Sequence, residues 1–488
     1  MARRKQSTFQ RLSLDRLNRK QRRDLGRRLG SADPGLSIVH SNAGGIDVGN
    51  ESHFAAVPAD RDPSPVQEFG TWTEDLVRLA KWLQACKVDT VAIQATGVYW
   101  IGLYDILVQH GIQVLVANAQ HTKNVPGRKT DVQESQWLMK LHTYGLLRDS
   151  FHLQEDMQSV RTVWRLRGQH VQEAVREIQH MQKALTKMNI QLANMLSDIS
   201  GVSGQTIIGA ILAGERDPYK LADLCDYRVQ ASREEVARSL EGNWREDVLF
   251  ELQQAVEGRR FRQQQIQACE QKLQYYIKSL PTRVIEIDVP LSQPENILVI
   301  KKTKKTNKPG AKNTPASALN LNEELKRICG VDLTSIDGID VVTAQTVISE
   351  IGTDMSRFPT EDDFASWLNL TPSHDVSAGK IIRKIRKNVQ NRAAVALRMA
   401  ASTLLNSKSY LGARYRHLRR QLPSKASAVK AMARYLAVLI YRLLTKGQAW
   451  VDRGAAKFEQ KRTELELASL KSKALAKGFR LTPIAEAI

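Results

Sequence analysis

Acidic residues stand at two places in the first third of the chain where carboxylates could bind a cation. Asp47 lies in an apolar, glycine-rich stretch, residues 43–49, that is typical of a buried strand. Asp131 and Glu134 lie three residues apart at a predicted helix start, so both carboxylates share one helical face. An acid on a strand opposed by an acid pair on a helix can hold Mg²⁺, which prefers oxygen ligands and often phosphate.

The charge of the chain favours a polyanionic partner. Among 488 residues, Lys and Arg number 72 and Asp and Glu 51, a formal net charge of +21. Residues 1–30 alone hold eleven Lys or Arg, among them Arg3, Arg4 and Lys5. Nucleic acid is the natural polyanion for a protein of this composition.

The composition argues against several other classes of protein. There is no apolar run of about eighteen residues that could span a membrane, and the basic N-terminus lacks the apolar segment of a signal peptide. The four cysteines are far apart and show no zinc spacing: Cys86, Cys225, Cys269 and Cys329. We therefore expect a reduced, cytoplasmic protein without disulfides or structural zinc and without a membrane partner.

The first 150 residues are predicted to form a basic arm and an α/β domain. Residues 1–42 are expected to be partly helical and to become ordered only on binding a polyanion. Residues 43–150 show three strands followed by alternating helices and strands, including a strand at Thr90–Gln94 and a helix at Asp131–Tyr144. This order of elements predicts a ribonuclease H-like layer fold.

Residues 151–290 are predicted to form a long helical arm. From Met157 to Ile199, apolar residues recur in alternating steps of three and four, with Arg167 as the polar exception, which predicts one long helix in a coiled coil. A second helix is expected at about 246–280, with residues 200–245 as a cap. The apolar seam could pair within the chain or across a dimer.

The remainder of the chain is predicted to be a basic linker, a helical domain and a charged tail. The linker covers 291–329, the mostly helical domain 330–451, and the loosely held tail 452–488. Around Gly338, the pattern suits a helix-hairpin-helix element whose backbone N–H groups face a phosphate, or an ordinary connection between helices.

Ser377 is a candidate nucleophile in the C-terminal domain. It stands in the segment Ser377-Ala378-Gly379, where glycine lets the backbone approach a phosphate. Cations that could bind this phosphate follow in the chain: Lys380, Arg383, Arg386 and Arg392. The alternative is a turn serine that caps a helix. His374 lies nearby, but a lone loop histidine is more often a surface residue.

Several sequence blocks, in one order, resemble the insertion-sequence transposase family numbered one-ten, and its eleven-eleven branch in particular. The resemblance covers about residues 43–450. The blocks are GIDV at 45–48, ATGVYW at 95–100, NVPGRKTD at 124–131, QWL at 136–138, LHTYGLL at 141–147, AGERDP at 213–218, VDLT at 331–334 and IDGI at 336–339. Members of this family are described as bridge-RNA or seekRNA guided DNA recombinases.

The resemblance implies a RuvC-like domain with a four-acid DEDD site for Mg²⁺, a coiled coil, and a C-terminal transposase domain with a nucleophilic serine. The four acidic positions correspond to Asp47, Gln94, Asp131 and Glu134, and the serine to Ser377, with Ser373 as the alternative. Arg128 and Lys129 belong to a resembling block and are candidate nucleic-acid contacts. The implied partners are donor and target DNA, a non-coding guide RNA and further copies of the chain, as a homodimer or homotetramer, in the bacterial nucleoid.

Two of the four acidic positions depart from the family pattern. Glu134 replaces Asp but keeps the charge, whereas Gln94 replaces a usual Glu with a neutral and weaker oxygen ligand. Three interpretations of Gln94 stay open: a natural residue with activity retained, an engineered substitution that traps a complex, and the mark of a decayed copy of the element. The rival functions are a RuvC-like metal-dependent junction resolvase or nuclease, and a catalytically inactive nucleic-acid scaffold.

Overall fold

The computed structural model describes residues 24–25, 27–29, 34–94, 97–117, 130–149, 155–284, 318–372, 374–377, 380–384, 391–447 and 454–480. The chain divides into two compact units, residues 1–152 and 153–488. None of the described helices is long and apolar enough to cross a membrane.

The N-terminal unit is built on a five-stranded mixed sheet. Its strands are β1 (Ala43–Val48), β2 (Ser52–Ala56), β3 (Val66–Gly70), β4 (Thr90–Gln94) and β5 (Gln113–Ala117). The spatial order is β3-β2-β1-β4-β5: the first three strands are antiparallel neighbours, and β4 and β5 extend the sheet in parallel with β1. The strand predicted at Thr90–Gln94 is confirmed, and the buried strand predicted within residues 43–49 is β1.

Helices cover both faces of this sheet. The helices α1 (Thr73–Ala85) and α2 (Trp100–Gln109) pack on one face, where Leu79, Leu83, Leu103 and Leu107 bury against the apolar side chains of β1 and β4. The helix α3 (Asp131–Thr143) packs against β1 on the other face. The sheet is therefore the middle layer, and its residues alternate between two environments.

The part of the N-terminal segment that the structure describes packs onto the unit. Leu25, Leu29 and Leu36 are buried and form a small core with Leu141 and Leu146. The prediction that residues 1–42 form an arm ordered only by a polyanion is therefore wrong for this part. Leucines spaced four residues apart gave a helical apolar face that the neighbouring arginines obscured in the sequence.

Two long antiparallel helices pack together at the start of the C-terminal unit. They are α4 (Glu155–Lys187) and α9 (Glu246–Ser279). The ion pairs show the direction, because Arg167 contacts Glu270 near one end and Lys187 contacts Glu251 near the other. The seam therefore pairs within the chain. Arg167, the polar residue in the seam, is balanced by Glu270, and a nearly buried pair of this kind favours one register over others.

A cap of four short helices joins the two long ones: α5 (Leu192–Met195), α6 (Val202–Leu212), α7 (Pro218–Ala222) and α8 (Arg233–Ser239). The predicted single helix through Ile199 is wrong, because α4 ends at Lys187 and Asn189 adopts a left-handed conformation, φ +60°. Leu192 and Ile199 follow the heptad spacing but bury in the core of the cap.

The rest of the C-terminal unit is mainly helical. Its helices are α10 (Ala318–Cys329), α11 (Val341–Ile351), α12 (Glu361–Trp367), α13 (Arg392–Thr403), α14 (Tyr410–Gln421), α15 (Lys425–Lys446) and α16 (Gly454–Ala476). Short 3₁₀ turns occupy Leu333–Ser335 and Leu404–Asn406, and two strands, β6 (His374–Ser377) and β7 (Lys380–Lys384), form an antiparallel hairpin. The hairpin was not predicted, since its strands are short and rich in charge.

Polar contacts anchor the base of the α4–α9 pair to α11. Trp164 Nε1 donates a hydrogen bond to Thr346 Oγ1 at 3.1 Å, and the Arg165 guanidinium binds both carboxylate oxygens of the nearly buried Glu350. This anchored region of α4 and α11 is called the α4–α11 joint below. It fixes the two long helices to the C-terminal core.

Two predicted boundaries of the C-terminal half need correction. Residues 318–329, expected in a basic linker, form α10, which buries Leu321, Leu325 and Ile328. The guanidinium of Arg327 also donates to the last carbonyls of α9, at Ile277 and Leu280. The predicted loose tail contains the helix α16, which Phe458 holds against Tyr410.

Candidate active site

Asp47 and Gln94 are neighbours on adjacent parallel strands. The register pairs Ile46 of β1 with Ile93 of β4, so the next residue on each strand is Asp47 and Gln94, at the carboxyl edge of the sheet. Asp47 is half-buried and Gln94 is 5% exposed. Both belong to the opposite face from Ile46 and Ile93, which enter the core under α1 and α2.

Gly45 brings α3 close to this edge of the sheet. A Cβ at Gly45 would run into the backbone of Ser135 and Met139 in α3, so only glycine allows the helix to lie against the strand. Asp47 is two residues further along β1 and shares the face of Gly45. Asp47 therefore lies on the side of the sheet that α3 covers.

A hydrogen bond at the opposite end fixes the direction of α3. Thr90 Oγ1, at the start of β4, lies 2.8 Å from Nε2 of His142, in the last turn of α3. Since Gly45 meets the middle of α3, the N-terminal turn of α3 lies toward the strand ends that carry Asp47 and Gln94. The four positions aligned with the DEDD pattern thus share one corner of the unit.

The first turn of α3 carries the two remaining acids. Thr130 caps the helix, with its hydroxyl accepting a hydrogen bond from the Gln133 N–H at 3.3 Å. Asp131 is exposed and Glu134 is half-buried. The helix dipole favours negative charge in this turn, so two carboxylates are stable here without a bound cation.

The donor atoms at this corner suit a hard divalent cation, since three carboxylates and one amide supply oxygen ligands alone. The side chains do not yet converge. Within the described part of the chain, no group of three or more His, Cys, Asp or Glu is arranged to hold a metal ion. The fold brings the four candidate residues to one corner, but the carboxylates there do not form a closed set of ligands.

His142 is a buried residue that the sequence did not single out. Burial and the nearby His40, whose ring stacks on it at a centroid distance of 4.5 Å, lower the pKa of His142 to about 4. Its Nδ1 is buried without a hydrogen-bond partner among the described residues, so a second ring proton would be unsatisfied. Gly45 could have been noticed from the Gly-Gly pair inside a strand pattern, but the His142–Thr90 contact had no local signal.

Ser377 is the last residue of strand β6. Two residues separate it from Lys380, its cross-strand partner in β7, while Arg383 pairs with Asp375. Ser377 therefore lies at the turn of a β-hairpin, and the alternative that it caps a helix is wrong. His374 begins β6 and does not lie in a loop. Arg392, also predicted to bind nucleic acid, is the first residue of α13.

Several predicted contacts fall outside the residues that the structure describes. They are Arg3, Arg4, Lys5, Arg128, Lys129, Ser373 and Arg386. Their roles stay predictions.

The contacts around Gly338 do not favour a phosphate there. Gly338 has φ +84°, and a Cβ on it would press on Ala400 O of α13. The N-terminus of α11 is capped by Asp340, whose carboxylate accepts from the Thr343 N–H at 2.8 Å. A carboxylate already occupies the position where a helix N-terminus would bind an anion. Phosphate binding at Gly338 remains an untested prediction.

Two protein-family models match the chain. A DEDD-type model described as a transposase matches residues 44–190, and a model described as transposase of the IS116/IS110/IS902 family matches residues 332–416. No curated protein matches the chain at a significant level.

The first match covers the sheet, α3 and α4, and the second covers the region from the 3₁₀ turn before α11 through most of α14. Both matches are to transposase models, and they support an assignment to the IS110 family of insertion-sequence transposases. A transposase assignment implies binding of a DNA substrate, and DEDD-type transposase domains typically use a divalent metal.

Proposed function

We propose that the chain is an RNA-guided DNA transposase that cuts and rejoins strands through a serine–DNA linkage. The observation that carries the proposal is the corner at which Gly45 lets α3 place Asp131 and Glu134 near Asp47 and Gln94. The order β3-β2-β1-β4-β5 supports a ribonuclease H-like or RuvC-like assignment for this unit.

Asp47, Asp131 and Glu134, with the amide oxygen of Gln94, would hold the divalent metal, proposed to be Mg²⁺. When bound, the metal would neutralise charge on the scissile phosphate. Because the acids do not form a closed ligand set, the exposed Asp131 would have to change rotamer to contribute. Gln94 keeps the ligand count but lowers the negative charge of the site by one relative to Glu.

Ser377 is proposed to supply the nucleophile. Its hydroxyl oxygen would form a bond to phosphorus as the bond to the leaving DNA oxygen breaks, and the hydroxyl proton would leave to solvent or to the departing oxygen. The phosphodiester energy is kept in the serine ester, so the strand can be rejoined. Lys380 and Arg383, which follow Ser377 on β7, are the proposed cations for charge on the phosphate.

The choice of target and the assembly follow from the family resemblance. Base pairing with a non-coding guide RNA would select the donor and target DNA, while the protein grips backbone and shape. A homodimer or homotetramer would bring the metal site of one copy to the serine of another. Sequencing the RNA that copurifies with the protein tests the first point, since the proposal expects one discrete species.

Trapping a protein–DNA adduct tests the serine chemistry. We expect denaturing gels of a cleavage reaction to show DNA covalently attached to the wild-type chain, and none attached to Ser377→Ala. Ser373→Ala is the matched control and should keep the adduct, since it removes the same hydroxyl from a neighbouring position.

The other outcomes separate the rival functions. Cleaved DNA without an adduct in the wild-type chain would identify a hydrolytic resolvase or nuclease. An adduct lost in Ser373→Ala but kept in Ser377→Ala would move the nucleophile to Ser373. Absence of cleavage in the presence of the correct RNA would identify a scaffold.

A further inference from the structure

The C-terminal unit contains a long segment without acidic residues. No Asp or Glu occurs between Asp375 and Asp452, a stretch that carries 17 Lys or Arg. In the whole chain, Asp and Glu number 51 and Lys and Arg number 72. The helices α13, α14 and α15 belong to this segment, so all of their formally charged side chains are cationic.

Some of these cations are already used by the fold. In α15, Arg434 binds Asp362 at 2.6 Å and Arg442 binds both carboxylate oxygens of Glu361 at 2.7 Å. In α14, Arg416 donates to the backbone carbonyls of Leu405 and Ser407. These arginines hold α12 and the turn before α14 in place, so their guanidinium groups already have partners within the fold.

Other cations lie together without comparable neutralisation. We name as the α14–α16 basic cluster Arg414, His417 and Arg420 of α14 and Arg462 of α16. Arg414 lies over the ring of Tyr435 at 4.0 Å, and Arg462 pairs with Glu466, the carboxylate that offsets the cluster. The carboxylate of Glu466 thus pairs with one of the three guanidinium groups. Arg420 is exposed at the end of α14.

Helical spacing gathers the three arginines around His417: Arg414 and Arg420 lie three residues to either side of it on α14, and Arg462 follows by one turn the Phe458 of α16 that contacts its ring. Burial lowers the pKa of His417, and Arg462, Arg420 and Arg414 lower it further, while Glu466 opposes them. The imidazole also packs edge-on against Phe458, which joins α16 to α14. Three guanidinium groups placed around one imidazole repel one another, so an anion bound among them would stabilise this site.

We propose that the α14–α16 basic cluster binds the phosphodiester backbone of a nucleic acid. Guanidinium groups form paired hydrogen bonds with phosphate oxygens, and here the position of Arg414 is set in advance by the ring of Tyr435. The alternative is a basic helix whose charges are simply solvated. Such a helix gives no reason for its arginines to lie around a half-buried histidine. The proposal rests on the proposed function only in requiring a nucleic-acid substrate, and it does not depend on the serine.

The salt dependence of binding tests the proposal. The observed binding constant falls with salt with a slope of about −0.9 per neutralised phosphate for duplex DNA and about −0.7 for single strands. We would measure anisotropy of a labelled DNA duplex and of a labelled single-stranded RNA with the full chain, cleared of copurifying RNA, over a salt series. The test variant is Arg414→Gln with Arg420→Gln.

We expect this double variant to bind more weakly at every salt concentration and to lose up to two phosphate contacts from the slope. The matched control is Arg228→Gln with Arg233→Gln, which removes two exposed arginines already paired with Asp226 and Asp223 in the cap. It should bind as the wild type does. Glu466→Gln should change binding in the opposite direction and strengthen it, because it removes the carboxylate of the cluster.

The two nucleic acids distinguish the source of the phosphate. A slope reduced for duplex DNA alone assigns the cluster to DNA, and one reduced for RNA alone assigns it to RNA. Unchanged slopes for both nucleic acids, in a variant whose circular dichroism and melting temperature match those of the wild type, would overturn the proposal. Arg420→Gln alone, at an exposed position, serves if the double variant misfolds. Failure of the serine chemistry would instead appear as a missing adduct with these slopes unaffected.

Discussion

Gln94 and Asp47 lie near the carboxyl ends of neighbouring parallel strands, on the face that α3 covers, so the electrostatics of this corner depend on the charge at position 94. A carboxylate at this nearly buried position would lie beside Asp47, and two such acids repel each other unless a cation lies between them. An amide avoids this repulsion but attracts a cation less strongly. Compared with a glutamate at this position, Gln94 is therefore expected to make the metal-free N-terminal unit more stable and to lower the affinity of the corner for a metal ion.

The substitution Gln94→Glu tests this trade. We expect the variant to melt below the wild type in chelator and to gain more from Mg²⁺. A ligand that binds the native state at about 100 times its Kd stabilises by roughly 2.7 kcal/mol. Differential scanning calorimetry with and without Mg²⁺ measures both effects. Asp47→Asn is the control and should show little metal effect. If Mg²⁺ shifts the Tm of the Glu variant and of the wild type equally, position 94 is not a ligand.

His142 makes the stability of the N-terminal unit depend on pH. The folded-state pKa of about 4 lies below the ordinary histidine pKa of 6.5, so the unfolded chain binds more protons between these two pH values. Stability is therefore full above about pH 6.5 and falls as the pH drops toward 4, by roughly 3 kcal/mol in total on the scale of 1.36 kcal/mol per pKa unit. Burial lowers the pKa of His53 as well, which adds in the same direction.

Urea unfolding of His142→Gln between pH 7 and pH 4 isolates the contribution of His142, because glutamine can still bond Thr90 but does not titrate in this range. We expect a shallower loss of stability than in the wild type. His180→Gln is the control, since His180 is 66% exposed and should leave the pH profile unchanged. Parallel profiles for the wild type and His142→Gln would contradict the assignment.

Helix α3 is the element that makes the corner, and its position depends on one missing methyl group. The strand β1 offers Gly45 to the backbone of Ser135 and Met139, and the bond between Thr90 and His142 fixes the far end. If α3 moved outward, Asp131 and Glu134 would leave the sheet edge together. The two acids are therefore coupled to a residue that has no chemical role.

The substitution Gly45→Ala is expected to destabilise the N-terminal unit by at least about 1–3 kcal/mol, the usual range for overpacking a tight site. It should also abolish any stabilisation by Mg²⁺. Gly102→Ala is the matched control: Gly102 lies in α2 with open space around it, and alanine there should be neutral or stabilising by up to about 1 kcal/mol. Thermal unfolding measures both. An alanine tolerated at position 45 with its metal response intact would show that α3 can shift without loss.

At the scale of elements, the sequence predicts well the helices and strands that have a regular apolar pattern or a capping residue at their ends. The strand Thr90–Gln94 and the helix α3, with its acidic first turn, follow from local pattern and capping. The end of α4 does not, because the heptad spacing continues past Asn189 while the backbone turns there. The heptad spacing of apolar residues predicts which residues are buried, but not where they are buried. A residue at a heptad position can bury in the core of the cap as well as between two paired helices.

At the scale of the whole molecule, the candidate site could be predicted only through its acids. The residue types of Asp47, Asp131 and Glu134 already indicate cation binding. In contrast, Gly45, Thr90 and His142 acquire a role only through contacts between segments that are distant in the sequence. The charge pattern follows the same rule. The segment between Asp375 and Asp452 is visibly basic in the sequence, but only the fold separates the arginines that bind Glu361 and Asp362 from those of the α14–α16 basic cluster.

The α4–α11 joint makes the paired helices act as a lever. From Arg165 to Lys187, a helix rising 1.5 Å per residue extends about 33 Å, and the cap lies at its far end. A tilt of about ten degrees at Glu350 would therefore carry the cap sideways by roughly 6 Å, about the rise of four residues along a helix. Small adjustments in the packing of α11 translate into large displacements of whatever surface the cap touches.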